Sequence, residues 1–382
     1  MKILFVSMPS IHVTRWIENL KDTDHELYWF DILNRGELET LSSVHQFTDW
    51  RKRKLPYIKG EYFLRKKIPL LYEKIIPYLE VSVEEALGKI ILEIQPDVIH
   101  SFEMQSCSYP ILSIMKKWPN IMWLYSCWGN DLYYYQNFSS HLKKIKEVLK
   151  QVDFLHTDCT RDYVMAKKIG FSGNHVGVIP GGTGYKLEEL ESYKLPISKR
   201  NIILVKGYEH TFGRGLNIVK ALHSLQNEIQ KFEIVIFAAH SEVLDYITSN
   251  NLNFKVFGRN ALSHQEIMKL MGKSLIYIGN SISDGMPNTL LEAIIMGAFP
   301  IQSNPGNATE EIIENGDNGF LINDAESISE IETLVLSIIN NKRLLENAFL
   351  KNKKITIERL EYSVNKIKVN EVYNLIENAR RL

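Results

Sequence analysis

The sequence predicts an α/β protein made of two tandem, doubly wound parallel-sheet domains, and three observations predict it. Short apolar runs alternate with helical stretches along the chain, the pattern of parallel strands joined by crossover helices. The alternation is interrupted by one polar stretch and then starts again. The length, 382 residues, suits two domains with separate cores.

In the first series Ile3-Val6, Leu27-Phe30, Val98-His100, Ile121-Tyr125, Phe154-His156 and His175-Ile179 read as strands, each a short apolar run. Helices are expected near Trp16-Lys21, Val83-Ile94, Tyr109-Lys117, Leu142-Lys150 and Arg161-Ile169. Leu38 to Leu79 is the hardest stretch to read. There Arg51-Lys52-Arg53-Lys54 and Arg65-Lys66-Lys67 are interleaved with Trp50, Tyr57, Tyr62, Phe63 and Leu64. Such a stretch could contact an anionic membrane surface or a lipid-phosphate acceptor through residues 50–79. Read plainly, it is a solvated loop and helix with snorkelling lysines.

After Gly181-Gly182-Thr183-Gly184 a polar stretch runs to Arg200, and the second series follows as Ile202-Val205, Glu233-Phe237, Phe254-Phe257 and Leu275-Ile278. The expected division is a first domain over 1–184, a linker over 185–200, a second domain over 201–358, and a tail over 359–382 with a last helix around Glu361 to Arg381. No low-complexity tract or short-period repeat interrupts this plan.

Composition excludes several classes. Lys plus Arg equal Asp plus Glu at 45 each, without the basic excess of a general nucleic-acid binder. Cys107, Cys127 and Cys159 are odd in number and lack Cys-x-x-Cys spacing, so neither a disulfide framework nor a zinc site is expected. The N-terminal apolar run is too short for a signal-peptide core, and no stretch approaches the roughly 20 apolar residues of a spanning helix. A cytoplasmic protein is expected, with peripheral contact at the inner membrane face through the basic segment. On that expectation the acceptor sequons at Asn137 and Asn307 are chance matches.

The most informative segment is Ser283 to Ile301. Leu275-Ile278 leads through Gly279-Asn280-Ser281 and a polar turn into Asn288–Met296, which has helix-compatible composition and Gly297 as its C-cap. This is strand, glycine-containing turn, helix. Free amides and the dipole at a helix start suit a phosphate or another anion. Asp284 in the turn can meet sugar hydroxyls, and Glu292, a turn into the helix, can accept from a vicinal diol. Taken alone, Asp284 reads as a turn stabiliser and Glu292 as a solvated helix residue. Against that, Glu292 sits inside Leu-Leu-Glu-Ala-Ile-Ile, an unfavourable place for an unpaired carboxylate if those neighbours are buried.

Asp284 to Glu292, with Ala293, Gly297, Ala298-Phe299-Pro300-Ile301 and Asn315-Gly316-Asp317-Asn318-Gly319-Phe320-Leu321, resembles the signature of the retaining GT-B glycosyltransferases of family 4. That family has Glu-x7-Glu where this chain has Asp-x7-Glu. The resemblance implies a GT-B fold, with the last helix crossing back to the first domain. It also implies a nucleotide-sugar donor, with Asp284 on the donor sugar and Glu292 on the ribose. Gly285, Met286, Pro287, Asn288 and Thr289 would line the donor loop. Lys206 and Arg214, in the glycine-containing loop after Ile202-Val205, would neutralise the diphosphate; otherwise they read as surface charge beside a turn. A guanidinium grips phosphate oxygens bidentately, and cations stabilise a departing diphosphate.

Ser126-Cys127-Trp128-Gly129-Asn130-Asp131 resembles the family's His-Gly-x-Asp segment with Trp128 in place of histidine. Trp128 could stack on a sugar face, and Asp131 keeps its position and could orient the loop. Glu103 follows a strand and could face the cleft. His12 stands in the first strand-to-helix loop, where the family is glycine-rich; a lone His there is more often structural. Asp22-Thr23-Asp24 matches the Asp-x-Asp of metal-dependent glycosyltransferases but lies at a helix end before the second strand, so it reads as a turn, and neither a metal nor another cofactor is expected.

The expected function is transfer of a sugar from a nucleoside-diphosphate sugar to a saccharide or lipid-linked acceptor hydroxyl in bacterial surface-polysaccharide or glycolipid synthesis, by a hexosyltransferase-type enzyme. Two other classes stay open: another GT-B enzyme, such as a sugar-nucleotide epimerase or a phosphorylase, and a non-catalytic nucleotide-sugar-binding subunit.

Overall fold

Apolar residues on both faces of the central strands require cover on both faces, and the chain provides it with helices. The computed structural model describes residues 1–181 and 183–380. Gly182 of the glycine run and Arg381 of the expected last helix lie outside them. The first sheet contains β1 (Lys2–Ser7), β2 (Glu26–Asp31), β3 (His45–Phe47), β4 (Val98–Phe102), β5 (Met122–Cys127), β6 (Phe154–Thr157) and β7 (Asn174–Val178), in the order β3-β2-β1-β4-β5-β6-β7. The second contains β8 (Ile202–Lys206), β9 (Glu233–Ala239), β10 (Lys255–Gly258), β11 (Ser274–Gly279), β12 (Phe299–Ser303) and β13 (Phe320–Ile322), in the order β10-β9-β8-β11-β12-β13. Every pairing in both sheets is parallel; Ile3 stands opposite Val98 across β1 and β4, and Leu204 opposite Tyr277 across β8 and β11.

Strand order reverses between β1 and β4 and again between β8 and β11. At such a switch point neighbouring crossovers run to opposite faces and leave a crevice at the carboxyl ends of the strands. Glu103 and Asp284 stand in the loops after β4 and β11, Lys206 ends β8, and His12, expected in the loop after β1, stands in the first turn of the helix Ile11–Glu18, so the topology alone collects four of the candidate residues.

Local structure departs from expectation where the sequence signal was short or contradictory. The first helix spans Ile11–Glu18, not Trp16-Lys21, because Ser10 caps it by accepting from the Val13 amide. β3 and the helices Glu61–Lys67 and Pro69–Leu79 emerge from the unreadable segment. β12 contains Pro300 although β11 and β13 flank it on both sides, an arrangement that sequence rules argue against. Gly297 ends the Asn288–Met296 helix at φ +79°, the left-handed conformation expected of it.

The chain passes between the sheets twice, side by side: the Tyr185 amide donates to Leu360 O at 2.9 Å and the Tyr362 amide to Tyr185 O at 3.0 Å. Residues 185–200 are no free tether, since Leu187, Leu190 and Tyr193 pack onto the second domain's core. The last helix, Tyr362–Arg380, lies under the first sheet, where Val369, Val372, Tyr373 and Ile376 share a core with Ile3, Phe5 and Trp29. Trp16 Nε1 donates to Tyr373 Oη at 2.8 Å. Asp22 pairs with Lys366 at 2.6 Å in the same contact, which places Asp22-Thr23-Asp24 in a turn against this helix.

Candidate active site

Between the two switch points lies a cleft of about 660 Å³ whose walls come from both domains. A hollow of about 690 Å³ beside Glu37–Gln46 is walled by one loop and the edge strand β3, outside the switch point.

The second domain's wall is built on the helix Asn288–Met296. This crossover helix is packed on nearly all sides, with Leu290, Leu291 and Ala293 to Met296 buried. Glu292 therefore cannot be a solvated helix residue; it is only 4% exposed. Its Oε1 is 2.7 Å from His264 Nε2, 3.3 Å from the donating Tyr185 hydroxyl and 3.6 Å from Arg15 Nη2. Arg15 comes from the first domain and also covers the Tyr185 ring at 4.7 Å. Oε2 takes no hydrogen bond from the described residues. Thr289 accepts from the Tyr277 hydroxyl at 3.0 Å, and the Asn288 side-chain nitrogen is 2.9 Å from His12 Nδ1. Met286 and Pro287 complete this wall.

Asp284 and Lys206 both line the cleft. The Gly285 amide donates to Asp284 Oδ1 at 3.0 Å, and the Asp284 carbonyl accepts from Arg161 Nη2 of the first domain at 2.8 Å. Lys206 lies over the Tyr208 ring at 4.5 Å. Arg214 departs from the expected geometry. Its Nε donates to Glu326 at 2.5 Å and its Nη1 to the carbonyls of His210 and Gly213, so the guanidinium braces its own loop and is not part of the cleft wall.

The first domain's wall has one strained residue. Glu103 takes φ +70°, an unusual conformation for a residue with a Cβ, and its carboxylate accepts from the Gln105 and Ser106 amides at 2.8 and 2.6 Å. Burial, with the nearby Asp131 charge second, pushes its carboxyl up to about 7. Asp131 is the pin of the next loop, accepting from the Tyr125 hydroxyl, the Cys127 thiol and the Trp128 amide at 2.5, 3.1 and 3.0 Å. Burial pushes it up to about 6. Trp128 presents its ring to the cleft beside His12, ring centroids 5.1 Å apart. His12 Nδ1 also lies 3.2 Å from Gly181 O, and burial lowers its basicity.

Sequence reasoning missed a second set of residues. Asp158, at the end of β6, reaches across the cleft: the Met286 amide donates to its Oδ2 at 3.2 Å, and its Oδ1 is buried without a partner. The loops touch so closely that a Cβ on Gly285 would lie 2.4 Å from Asp158 Oδ2, and one on Gly129 2.2 Å from Gly285 N. Arg161 donates to Pro305 O at 2.6 Å as well as to Asp284 O, and pairs with Asp162 at 2.7 Å. The group Asp158, Cys159 and Asp162 has atoms close enough to share a cation, but the Arg161 guanidinium already rests on Asp162. The signal available was position: Asp158-Cys159-Thr160-Arg161-Asp162 directly follows a predicted strand. Arg15, Tyr185 and His264 gave none, since each is an ordinary polar residue of a helix or linker.

Two parallel, doubly wound domains whose switch-point loops face one cleft define the GT-B class. Sequence comparison supplies the family: Glycosyl transferases group 1 matches residues 189–355, and Glycosyl transferase 4-like matches residues 2–158. The chain belongs to these family 4-type glycosyltransferases. An uncharacterised glycosyltransferase of Methanocaldococcus jannaschii is 27% identical over 132 residues, 34% of this chain and 33% of the relative, so the match spans about a third of that protein. Among solved structures, a glycosyltransferase from Rickettsia africae aligns with TM-score 0.64 and 19% identity over 98% of both chains. HepE of Anabaena in complex with UDP and glucose gives 0.68 and 14% over 98% of this chain and 100% of that one. Sucrose-phosphate synthase of Thermosynechococcus elongatus gives 0.72 and 13% over 99% and 100%.

Proposed function

We propose that this enzyme is a retaining, metal-independent glycosyltransferase of the hexosyltransferase type, moving a sugar from a nucleoside-diphosphate sugar to an acceptor hydroxyl in surface-polysaccharide or glycolipid synthesis in the cytoplasm. The observation that carries the reading is Glu292: a buried carboxylate beneath the cleft, with one oxygen fixed by His264 and Tyr185 and the other open. That arrangement suits the vicinal hydroxyls of a ribose. The structural relative HepE was solved with UDP and with UDP-glucose, which supports a nucleotide-sugar ligand here.

On this reading Lys206 and the amides from Gly285 to Thr289 hold the diphosphate, and Asp284 meets the donor sugar. As the bond between the anomeric carbon and the phosphate oxygen breaks, the acceptor oxygen bonds to the same face of that carbon, and its proton passes to the leaving phosphate oxygen. Arg214, braced on Glu326, takes no part in this scheme.

The test is a melting screen with UDP, GDP, ADP, CMP and their sugar conjugates, since a ligand of the native state raises the melting temperature. NMR of the anomeric proton in the product of the best donor then follows. A stabilising donor and an unchanged anomeric configuration support the proposal. Inverted configuration removes the retaining mechanism, and donor binding without transfer or hydrolysis makes the chain a binding subunit.

A further inference from the structure

The cleft does not account for the surface made by residues 50–79. Nine large apolar side chains stand exposed between Leu55 and Tyr78, against nineteen in the whole described chain. Tyr57, Tyr62, Leu70 and Tyr78 are the most open, at 82%, 76%, 76% and 74% exposure. Such a concentration marks a contact surface. The same stretch, 51–79, carries nine Lys and Arg against two Glu in a protein whose net charge is zero. Lys59, Arg65, Lys66, Lys67 and Lys74 form no ion pair with the described residues.

This surface is built, not frayed. Glu61 is buried and accepts from Arg53 Nη1 at 2.6 Å, the Tyr72 hydroxyl at 2.9 Å and the Ile58 amide at 3.2 Å, which ties the loop to the helices Glu61–Lys67 and Pro69–Leu79. The unit is rooted where β2 ends: Trp50 Nε1 donates to Asp31 O and its amide to Asn34 Oδ1, both at 2.7 Å. That is the carboxyl edge of the first sheet, the edge that forms the acceptor side of the cleft.

We propose that this pair of helices docks the enzyme on an anionic lipid bilayer, seating the acceptor side of the cleft beside the membrane. Charge complementarity selects this occupant. A second copy would set one strongly basic face against another, whereas a bilayer with acidic headgroups offers negative potential together with an apolar layer for Tyr and Phe side chains. No helix among the described residues is long and apolar enough to cross a membrane, so the contact is superficial. The inference rests on the surface alone and stands or falls apart from glycosyl transfer.

The full chain is mixed with vesicles of phosphatidylcholine alone or with about one-third phosphatidylglycerol, and partition is read by sedimentation at low and high salt. Wild type binds the anionic vesicles and leaves them at high salt. Lys66→Ala with Lys67→Ala weakens partition about 30-fold, from about fivefold per basic residue at the surface. Phe63→Ser with Leu70→Ser weakens it about tenfold or more. Both pairs keep the wild-type melting temperature and nucleotide-induced shift, because the altered side chains are exposed and outside the cleft. Equal partition onto both vesicle types, no partition, or partition unchanged in the variants overturns the proposal. So does self-association that the Phe63/Leu70 pair abolishes while wild type stays off vesicles.

Discussion

Replacing Glu292 by Gln keeps the side-chain shape and removes its charge. The hydrogen bonds and the ion pair of the carboxylate fall on Oε1: His264 at 2.7 Å, Tyr185 at 3.3 Å and Arg15 at 3.6 Å. A ribose would therefore bond the open Oε2. Hydrogen bonds to a charged acceptor contribute about 1.5–3 kcal/mol and neutral ones about half that; an amide that turns its NH2 toward the sugar offers the hydroxyl protons no acceptor at all. The expected loss is about 1.5–3 kcal/mol, or roughly 10- to 150-fold in Kd. Isothermal titration with the nucleoside diphosphate that wins the melting screen, and with its 2′,3′-dideoxy counterpart, measures it. Glu292→Gln weakens the ribonucleotide by that factor and the dideoxy compound much less, because the latter has no diol to lose. Affinity within twofold of wild type, or an equal loss for both ligands, refutes the assignment.

Other expectations follow from the same geometry. Lys206→Ala weakens the diphosphate about tenfold or more and leaves the nucleoside unaffected, whereas Arg214→Ala, which breaks a surface pair with Glu326, costs at most about 1 kcal/mol of stability and changes Kd less than threefold. Paired titrations of nucleoside and nucleotide separate the two. Glu103, raised to about 7 from the usual 4.5, keeps its proton longer in the folded state, so its contribution to stability is present below pH 4.5 and is lost as pH rises to about 7. Glu103→Gln removes that slope, on the order of 3 kcal/mol across the window, in denaturation curves taken from pH 4 to 8. An unchanged slope shows that the carboxyl is not buried as described.

The fold was legible because its signal is long-range and redundant: ten predicted strands share one alternation, and an error in one does not change the class. What failed was local. Pro300 hid β12, three-residue β3 is too short to show a period, and Ser10 moved a helix start by several residues. The second domain's part of the cleft was legible because it is contiguous, running from Asp284 through Glu292 within one strand-turn-helix unit. The residues that complete it are not contiguous. Arg15, Tyr185 and His264 meet Glu292 from a helix, a linker and another helix, and only the fold brings them within 4 Å. Arg214 shows the converse: its place beside glycines fits a phosphate grip, and a carboxylate at Glu326, 112 residues on, turns it elsewhere.

Asp158 shows how the two domains share one site. It belongs to the first domain, yet its carboxylate sits on the Met286 amide just ahead of the helix Asn288–Met296. Burial first, then the Asp162 charge, raise its carboxyl well above the usual range, with Asp284 adding to this and Arg161 opposing it. Such a group favours folding at acid pH, and that contribution is lost as pH rises from the ordinary Asp range through the raised folded value. Asp158→Asn removes this liability: its amide oxygen can still accept from Met286, and its nitrogen replaces an oxygen that already lacks a partner. The variant should melt higher than wild type at neutral and alkaline pH, with the gap closing in acid. If the residue persists despite that cost because it sets the donor loop against the acceptor domain, turnover should fall as stability rises. Melting curves and donor turnover on one preparation decide the matter. A lower melting temperature at neutral pH refutes the electrostatic argument, and a more stable variant with unchanged turnover refutes the role in the cleft.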